Sequence, residues 1–332
     1  MHVLQMMLSE GWGGLEIAFV DLCSELATRC RLTVVAPEGS ETLRRLPDGV
    51  GKVLPAPGGS RRNPITVLRV RRAVTQAGPH LVHTHAEKAT EVFWWANRFS
   101  PFVHVATKHN TRCRRVFDHV PFATAVSPAV ARTIRNRRGV TVIPNGIRVR
   151  EVAPGPEPEV FTMTAVGRLN PLKGFDRLVR AAAELTFPFR LRIAGEGPQR
   201  QELERLVADL GLGERVTLLG HREDVPEVIA GSHLLVIPSL SEGFGLTLLE
   251  GLAYADLVLA TDVGVAPDLL PERFLLDGEN IAGGLRAAHA QYGELVAAFQ
   301  DVKARHAGRF TWAAVADAYV ETYRSALAER GR

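Results

Sequence analysis

Glu242 and Glu250 stand at either end of the segment Gly243-Phe244-Gly245-Leu246-Thr247-Leu248-Leu249. A carboxylate only accepts hydrogen bonds and can use both oxygens, which suits the paired hydroxyls of a sugar or a ribose. The residues around the two acids predict a strand over Leu234–Ile237 closed by Pro238, a loop from Ser239 to Gly245, and a helix over Leu246–Tyr254. The stretch is thus a strand, a glycine-containing turn and the N-terminus of a helix. Its free backbone N–H groups and its dipole then favour an anion. An anion site flanked by diol acceptors describes a nucleotide-sugar. The plainer alternative is two solvated glutamates on an ordinary strand-to-helix turn.

A second anion signal lies in Val166-Gly167-Arg168-Leu169-Asn170-Pro171-Leu172-Lys173-Gly174. Arg168 and Lys173 fall where a predicted strand ends and a helix begins, so the pair could neutralise a departing diphosphate. The first glycine cluster, Gly11, Gly13 and Gly14, permits close backbone approach to a phosphate. As a dinucleotide fingerprint it lacks its third glycine, a position held by Glu16. Glu38 near the end of the second strand nevertheless keeps a nicotinamide-dependent oxidoreductase open. His83, His85, His104 and His109 lie near strand ends without a cysteine or carboxylate set beside them, and no Asp-x-Asp pair occurs. No metal is therefore expected. His85 and His109, each last in its strand, are expected to point at substrate. Glu91-Val92-Phe93-Trp94-Trp95 reads as core and boundary packing, or as an aromatic anchor at a membrane interface.

These residues need rigid elements to hold them. Strands are expected at His2–Leu8, Leu32–Ala36, Val53–Pro57, Leu81–Thr84, Val103–Thr107, Ala123–Val126 and Val140–Ile143, alternating with helices that include Ile65–Gln76 and Ala86–Arg98. The Pro/Gly cluster Ala153-Pro154-Gly155-Pro156-Glu157-Pro158 reads as a linker. Beyond it the alternation restarts, with strands at Phe161–Val166, Leu191–Ala194, Val216–Leu219, Leu234–Ile237, Leu257–Ala260 and Phe274–Leu276, and a last helix over Thr311–Leu327. Two tandem doubly wound α/β halves with a cleft between them follow, with ligands at the carboxyl ends of the strands.

The chain of 332 residues has the length of two ordinary domains and no apolar run long enough to span a bilayer. The start, Met-His-Val-Leu, lacks the basic opening of a signal peptide, and three cysteines (Cys23, Cys30, Cys113) have no metal-like spacing. A reducing, cytoplasmic setting is the expectation. Net charge is +4 but unevenly spread: residues 1–150 carry 22 Lys/Arg against 10 Asp/Glu, a local +12, which leaves −8 for the remainder. The basic half suggests an anionic partner, such as the inner face of the cell membrane. Arg61, Arg62, Arg69, Arg71, Arg72, Arg112, Arg114 and Arg115 would form that face. No stacking aromatics are interleaved with them, so nucleic acid is not expected.

In their order along the chain these segments resemble the retaining GT-B glycosyltransferases of family 4. The resemblance rests on Gly13-Gly14-Leu15-Glu16, Val142-Ile143-Pro144-Asn145-Gly146-Ile147, Gly167-Arg168 through Lys173-Gly174, and Ala194-Gly195-Glu196-Gly197-Pro198. Pro238 to Glu250 and Phe310-Thr311-Trp312 complete it. It implies a GT-B fold: an acceptor-binding Rossmann-like domain over 1–150, a nucleotide-sugar-binding one over 151–308 facing it across a cleft, and a helix over 309–332 crossing back to the first. It also implies metal-independent transfer with retention, no cofactor beyond a nucleoside-diphosphate sugar, and a glycan or lipid-linked acceptor such as a lipopolysaccharide core.

By the same resemblance Glu242 faces sugar hydroxyls, Glu250 the ribose, and Arg168 and Lys173 the diphosphate. Backbone of Gly13, Gly14, Gly195, Gly243, Phe244, Gly245, Leu246 and Thr247 would line the donor, His221 would lie near the base, and His109 near the reacting carbon. His85, Arg61, Arg62 and Arg112 are expected on the acceptor side. A non-catalytic nucleotide-sugar binder would share all these features. The chain departs from the family pattern at Ala255-Asp256-Leu257 and at Gly264-Val265-Ala266-Pro267-Asp268.

Overall fold

The computed structural model describes residues 1–56, 61, 63–99, 102–153 and 158–330. The expected linker residues 154–157, the loop residues 57–60 and Arg62 lie outside the described residues. The chain divides into two compact units, Met1–Arg148 with Phe310–Arg332, and Val149–Arg309.

The first unit is built on seven parallel strands: β1 (His2–Met7), β2 (Arg31–Pro37), β3 (Lys52–Ala56), β4 (Leu81–His85), β5 (Val103–Lys108), β6 (Phe122–Ala125) and β7 (Val140–Val142). Their order is β3-β2-β1-β4-β5-β6-β7, so the winding reverses between β1 and β4. Strands β1, β4 and β5 are buried along their whole length, as a parallel sheet covered on both faces requires. Val70 and Val74 of the Pro64–Ala77 helix and Val92 and Phe93 of the Ala86–Ala96 helix close one face over Leu4, Met6 and Val82. The first of these helices is well delimited. Asn63 Oδ1 accepts from Ile65 N at 2.9 Å, Pro64 opens the first turn, and Gly78 ends the helix at φ 59°.

The second helix is shorter than its sequence pattern, stopping at Ala96 before a 3-10 turn over Asn97–Phe99. The reason is local. The Asn97 amide donates to Phe102 O (2.9 Å) and accepts from Phe102 N (2.8 Å), turning the chain toward β5.

The chain comes back to this unit at its end. Ile147 N donates to Phe310 O at 2.8 Å, and Ile147 and Thr311 form a parallel bridge. Trp312 lies against Gly146, where any Cβ would stand 2.6 Å from the indole, so the Pro-Asn-Gly turn needs its glycine for packing. The Trp312–Arg330 helix then buries Val315, Tyr319 and Tyr323.

The second unit holds six parallel strands: β8 (Phe161–Val166), β9 (Phe189–Ala194), β10 (Val216–Gly220), β11 (Leu234–Ile237), β12 (Val258–Thr261) and β13 (Leu275–Leu276). Their order is β10-β9-β8-β11-β12-β13, with the reversal between β8 and β11. Helices Phe175–Ala183 and Leu246–Tyr254 leave the carboxyl ends of the two strands that flank this reversal.

Candidate functional site

At the carboxyl edge of the second sheet, the loops after five strands are tied to one another by backbone. Gly167 N donates to Ala194 O (3.0 Å), Gly195 N to Gly220 O (2.8 Å), Leu240 N to Leu172 O (2.8 Å) and Val265 N to Phe244 O (3.0 Å). Such close approach leaves no room for side chains. A Cβ on Gly195, at φ +147°, would sit 1.9 Å from Gly167 O. Gly264, at φ +65°, would clash with Phe244 O at 2.5 Å and meet the Glu242 Cβ at 2.8 Å. The 264–268 loop therefore backs the Glu242 loop directly, even though its sequence departs from the family pattern.

On this platform the structure brings together residues 167–173 with 239–250. Asn170 Oδ1 accepts from Leu172 N (3.0 Å) and sets the 3-10 turn that presents Lys173. Lys173 Nζ donates to Glu242 Oε1 at 2.6 Å, and Ser239 Oγ donates to the same oxygen at 2.7 Å. Both partners are largely buried, with side chains 21% and 13% exposed. The cation expected on a diphosphate and the acid expected on sugar hydroxyls are thus paired to each other. Arg168 is exposed and forms no ion pair among the described residues.

The Leu246–Tyr254 helix starts at Gly245 (φ 104°), with no side-chain cap and no acid in its first turn. Its opening N–H groups have the polarity an anion needs. Half-buried Glu250 lies one turn further in; burial pushes its carboxyl up to about 7, and the Lys173 charge pulls the other way. Thr247 is nearly buried against Val166 O (3.4 Å). His221 is exposed, one residue beyond Gly220, whose carbonyl holds Gly195.

The carboxyl edge of the first sheet is organised differently. His85 ends β4 and is 1% exposed, its ring given over to protein: Nε2 to Gln5 Oε1 (2.8 Å) and Nδ1 to His109 Nε2 (3.2 Å). His85, expected on the acceptor side, thus meets His109 with its ring rather than solvent. Gln5 Nε2 donates to Tyr323 Oη (2.8 Å), which leaves Oε1 to accept and fixes the proton of His85 on Nε2. His85 Nδ1 then accepts from His109 Nε2, and His109 keeps a lone pair on Nδ1. The Tyr323 hydroxyl donates to His83 Nδ1 (2.7 Å), and His83 Nε2 donates to Thr107 Oγ1 (2.7 Å).

Burial drives His104 and His109 down to about 3, and burial with neighbouring histidines holds His83 and His85 well below the ordinary imidazole range. All four rings are neutral near pH 7. The sequence alone assigns no site role to Gln5, Thr107, Tyr319 or Tyr323; it places the two tyrosines on a last helix that packs back. The two tyrosines sit among apolar residues in the last helix, and their alternation with polar neighbours gives only a packing signal.

Ala86, directly after His85, has φ +61°, the one such non-glycine among the described residues. Glu87 follows it. Arg114 Nε meets Glu87 Oε2 at 2.9 Å, and Arg61 reaches Glu91 at 3.4 Å and Glu87 at 3.8 Å. Two arginines assigned to a continuous basic face are thus paired with acids, which narrows that face. Arg112 is exposed, with its backbone N–H on Asn110 Oδ1 (3.0 Å). The N-terminus of the Gly14–Ala27 helix, at Gly13, carries no side-chain cap. Among the described residues no three His, Cys, Asp or Glu side chains gather as a metal set.

Comparison with known proteins agrees with this geometry. The family model Glycosyltransferase Family 4 matches residues 12–151, and Glycosyl transferases group 1 matches residues 151–287. D-inositol 3-phosphate glycosyltransferase of Mycolicibacterium smegmatis is 36% identical over 175 residues, covering 49% of this chain and 40% of the relative. The gpi3 subunit of phosphatidylinositol N-acetylglucosaminyltransferase of Schizosaccharomyces pombe is 32% identical over 150 residues, 43% of this chain and 33% of the relative. These alignments thus span less than half the length of either relative. The fold matches that of Anabaena Alr3699/HepE, solved in complex with UDP, with TM-score 0.85 and 20% identity over 98% of this chain and 100% of that one. With two family models in tandem and a GT-B architecture on both sheets, the chain belongs to glycosyltransferase family 4, the glycosyl transferases of group 1.

Proposed function

We propose that this chain is a retaining hexosyltransferase that moves a sugar from a nucleoside-diphosphate donor to a glycan or glycolipid acceptor, of the kind found in a lipopolysaccharide core or another cell-envelope glycoconjugate. The observation that carries the reading is the Lys173–Glu242 pair beside the uncapped Leu246–Tyr254 helix. A diphosphate bears more charge than one carboxylate and competes for Lys173. When the donor takes the lysine, Glu242 is released to accept hydrogen bonds from sugar hydroxyls, so binding of one half of the donor arms the other. Arg168, Lys173 and the helix N-terminus then stabilise the charge that grows on the leaving diphosphate, a metal-independent route. The acceptor hydroxyl forms the new C–O bond on the face the diphosphate leaves, and its proton goes to the departing phosphate oxygen. Glu250 holds the ribose diol, and His109 offers an uncharged ring to the transferred sugar.

Both relatives carry a phosphorylated inositol in their names, which supports an anionic or lipid-linked acceptor. No helix among the described residues is long and apolar enough to cross a membrane. The +12 charge of residues 1–150 supports a cytoplasmic protein resting on an anionic membrane face. Sedimentation with anionic liposomes at low salt tests that position, and absence of binding removes it. For the reaction, a thermal-shift panel of uridine, guanosine and adenosine diphosphate sugars identifies the donor, and release of the matching nucleoside diphosphate is then followed. Substitution Glu242→Gln abolishes release while retaining nucleotide affinity. Unchanged turnover in that variant would sink the assignment.

A further inference from the structure

Two cavities in the first unit share a wall. The smaller, about 290 Å³, is lined by Glu87, Glu91, Trp94, Trp95, Arg114 and Arg115 among others. The larger, about 680 Å³, runs over Pro64, Val67, Leu68 and Ala96. Glu91 and Trp95 border both.

Their chemistries differ in kind. In the smaller cavity two carboxylates one helical turn apart accept hydrogen bonds, two guanidiniums donate them, and the Trp94 indole offers a face for C–H groups. These are complementary to a ring that carries hydroxyls on its edges and hydrogens on its faces. Glu87 is held through Oε2 by Arg114, while its Oε1 is buried without a hydrogen-bond partner among the described residues. A buried carboxylate oxygen is costly to leave unmatched, and a ligand hydroxyl would satisfy it. Arg98 lies over Trp94 and Trp95 at 5.4 and 5.6 Å and steadies both indoles. The larger cavity, by contrast, joins Pro64, Val67, Leu68, Trp95 and Ala96 with the charged Arg61, Arg71 and Glu91, and leaves Leu68 and Trp95 64% and 48% exposed. Apolar side chains standing open at a concave surface favour an apolar occupant.

We infer that the two cavities form one acceptor site for an amphiphile, with a sugar ring between Glu87, Glu91 and Trp94 and an aliphatic chain along Val67, Leu68 and Trp95. The inference rests on the reading of the chain as a glycosyltransferase and specifies its acceptor as a glycoside with an apolar aglycone. Between the cavities Arg61 and Arg114 are engaged by Glu87 and Glu91, while Arg71 and Arg115 also line them.

The test uses the full chain, with tryptophan fluorescence as readout because Trp94 and Trp95 line the site. Methyl and n-octyl glycosides of glucose, galactose and mannose are titrated below their micellar concentrations, without donor. At least one octyl glycoside binds about tenfold or more tightly than its methyl partner. Substitution Leu68→Asp, at an exposed position that leaves the core intact, removes that increment and spares the methyl glycoside. Glu87→Gln weakens both by about tenfold, while thermal unfolding stays within a few degrees. Equal affinities for methyl and octyl forms overturn the inference. Octanol binding as well as octyl glycoside does the same, and so does binding seen only with anionic vesicles. Affinity of the unsubstituted chain for the nucleotide sugars is measured in the same preparation. Donor binding with no discrimination among glycosides removes this inference alone, and loss of both removes the glycosyltransferase reading.

Discussion

The carboxyl edges of the two sheets solve opposite problems with the same topology. At the end of the second sheet the polar groups are charged and held in reserve: Lys173 against Glu242, an exposed Arg168, and a helix N-terminus with no side-chain cap. At the end of the first sheet the ring of His109 is stripped of charge, and a relay through His85, Gln5, Tyr323 and His83 fixes where its protons sit. The difference matches the chemistry proposed. A nucleotide donor brings about two negative charges and needs cations whose own partner is easily exchanged. The reacting hydroxyl and the transferred sugar are neutral, and a neutral, oriented imidazole neither repels them nor traps the leaving group.

Removing the charge from the second edge is the harshest way to break this contrast. Lys173→Ala lowers kcat/KM for donor turnover by about 100-fold, the scale of one charge-assisted bond to phosphate, and steady-state kinetics on the identified nucleotide sugar reads it directly. Disturbing the platform comes next. Gly264→Ala forces a Cβ to within 2.8 Å of the Glu242 Cβ at φ +65°, costs about 1–3 kcal/mol of stability, and lowers turnover by about tenfold, with nucleotide affinity less affected.

At the first edge, Tyr323→Phe strips Gln5 Nε2 and His83 Nδ1 of their common partner. A stability loss of about 1–3 kcal/mol in urea unfolding is expected, together with slower transfer and an unchanged Kd for the nucleotide. If donor affinity falls instead, the two edges are not the separate devices described.

The smallest effect sharpens the comparison through pH. Histidines whose folded pKa is depressed bind fewer protons than in the unfolded chain, so their stabilisation is present above about 6.5 and is lost as pH falls toward 3. Glu250 runs the other way. Raised from 4.5 to about 7, it favours the folded state below 4.5, and this contribution disappears as pH climbs through 7. Glu250→Gln therefore stabilises the protein at pH 8 relative to pH 5 by comparison with the parent, and thermal melts at the two values measure the difference.

Much of this architecture was legible because its signals are local. Leu234–Ile237 is an unbroken apolar run closed by proline, and Leu246–Tyr254 follows two glycines; both elements form with those bounds. The β-strand alternation and the anion-seeking loops follow from the same short-range rules. The relay in the first unit was not legible. Gln5 and Tyr323 are 318 residues apart, and no periodicity announces a hydrogen bond over that distance.

The pairing of Lys173 with Glu242 is not legible either, because each residue type signals a ligand and nothing local ties it to a partner 69 residues away. The stretch from Glu91 to Trp95 stands out in the sequence as packing or an aromatic anchor, and Glu87 extends that signal by one turn. Two acids at i and i+4, followed by Trp94 and Trp95 on one helix, mark a face too polar for core and too aromatic for plain surface.

The last helix belongs to the unit that the first residues begin. Gln5 and His83 obtain Tyr323 only after residues 149–309 have been made, so the first unit is begun before the second and completed after it. Residues 149–309 can close their own sheet meanwhile, in the usual vectorial fashion. Until then residues 1–148 present unfilled hydrogen-bonding groups and the bare flank of the Gly14–Ala27 helix, and a stop codon ahead of Tyr323 would strand them in that state.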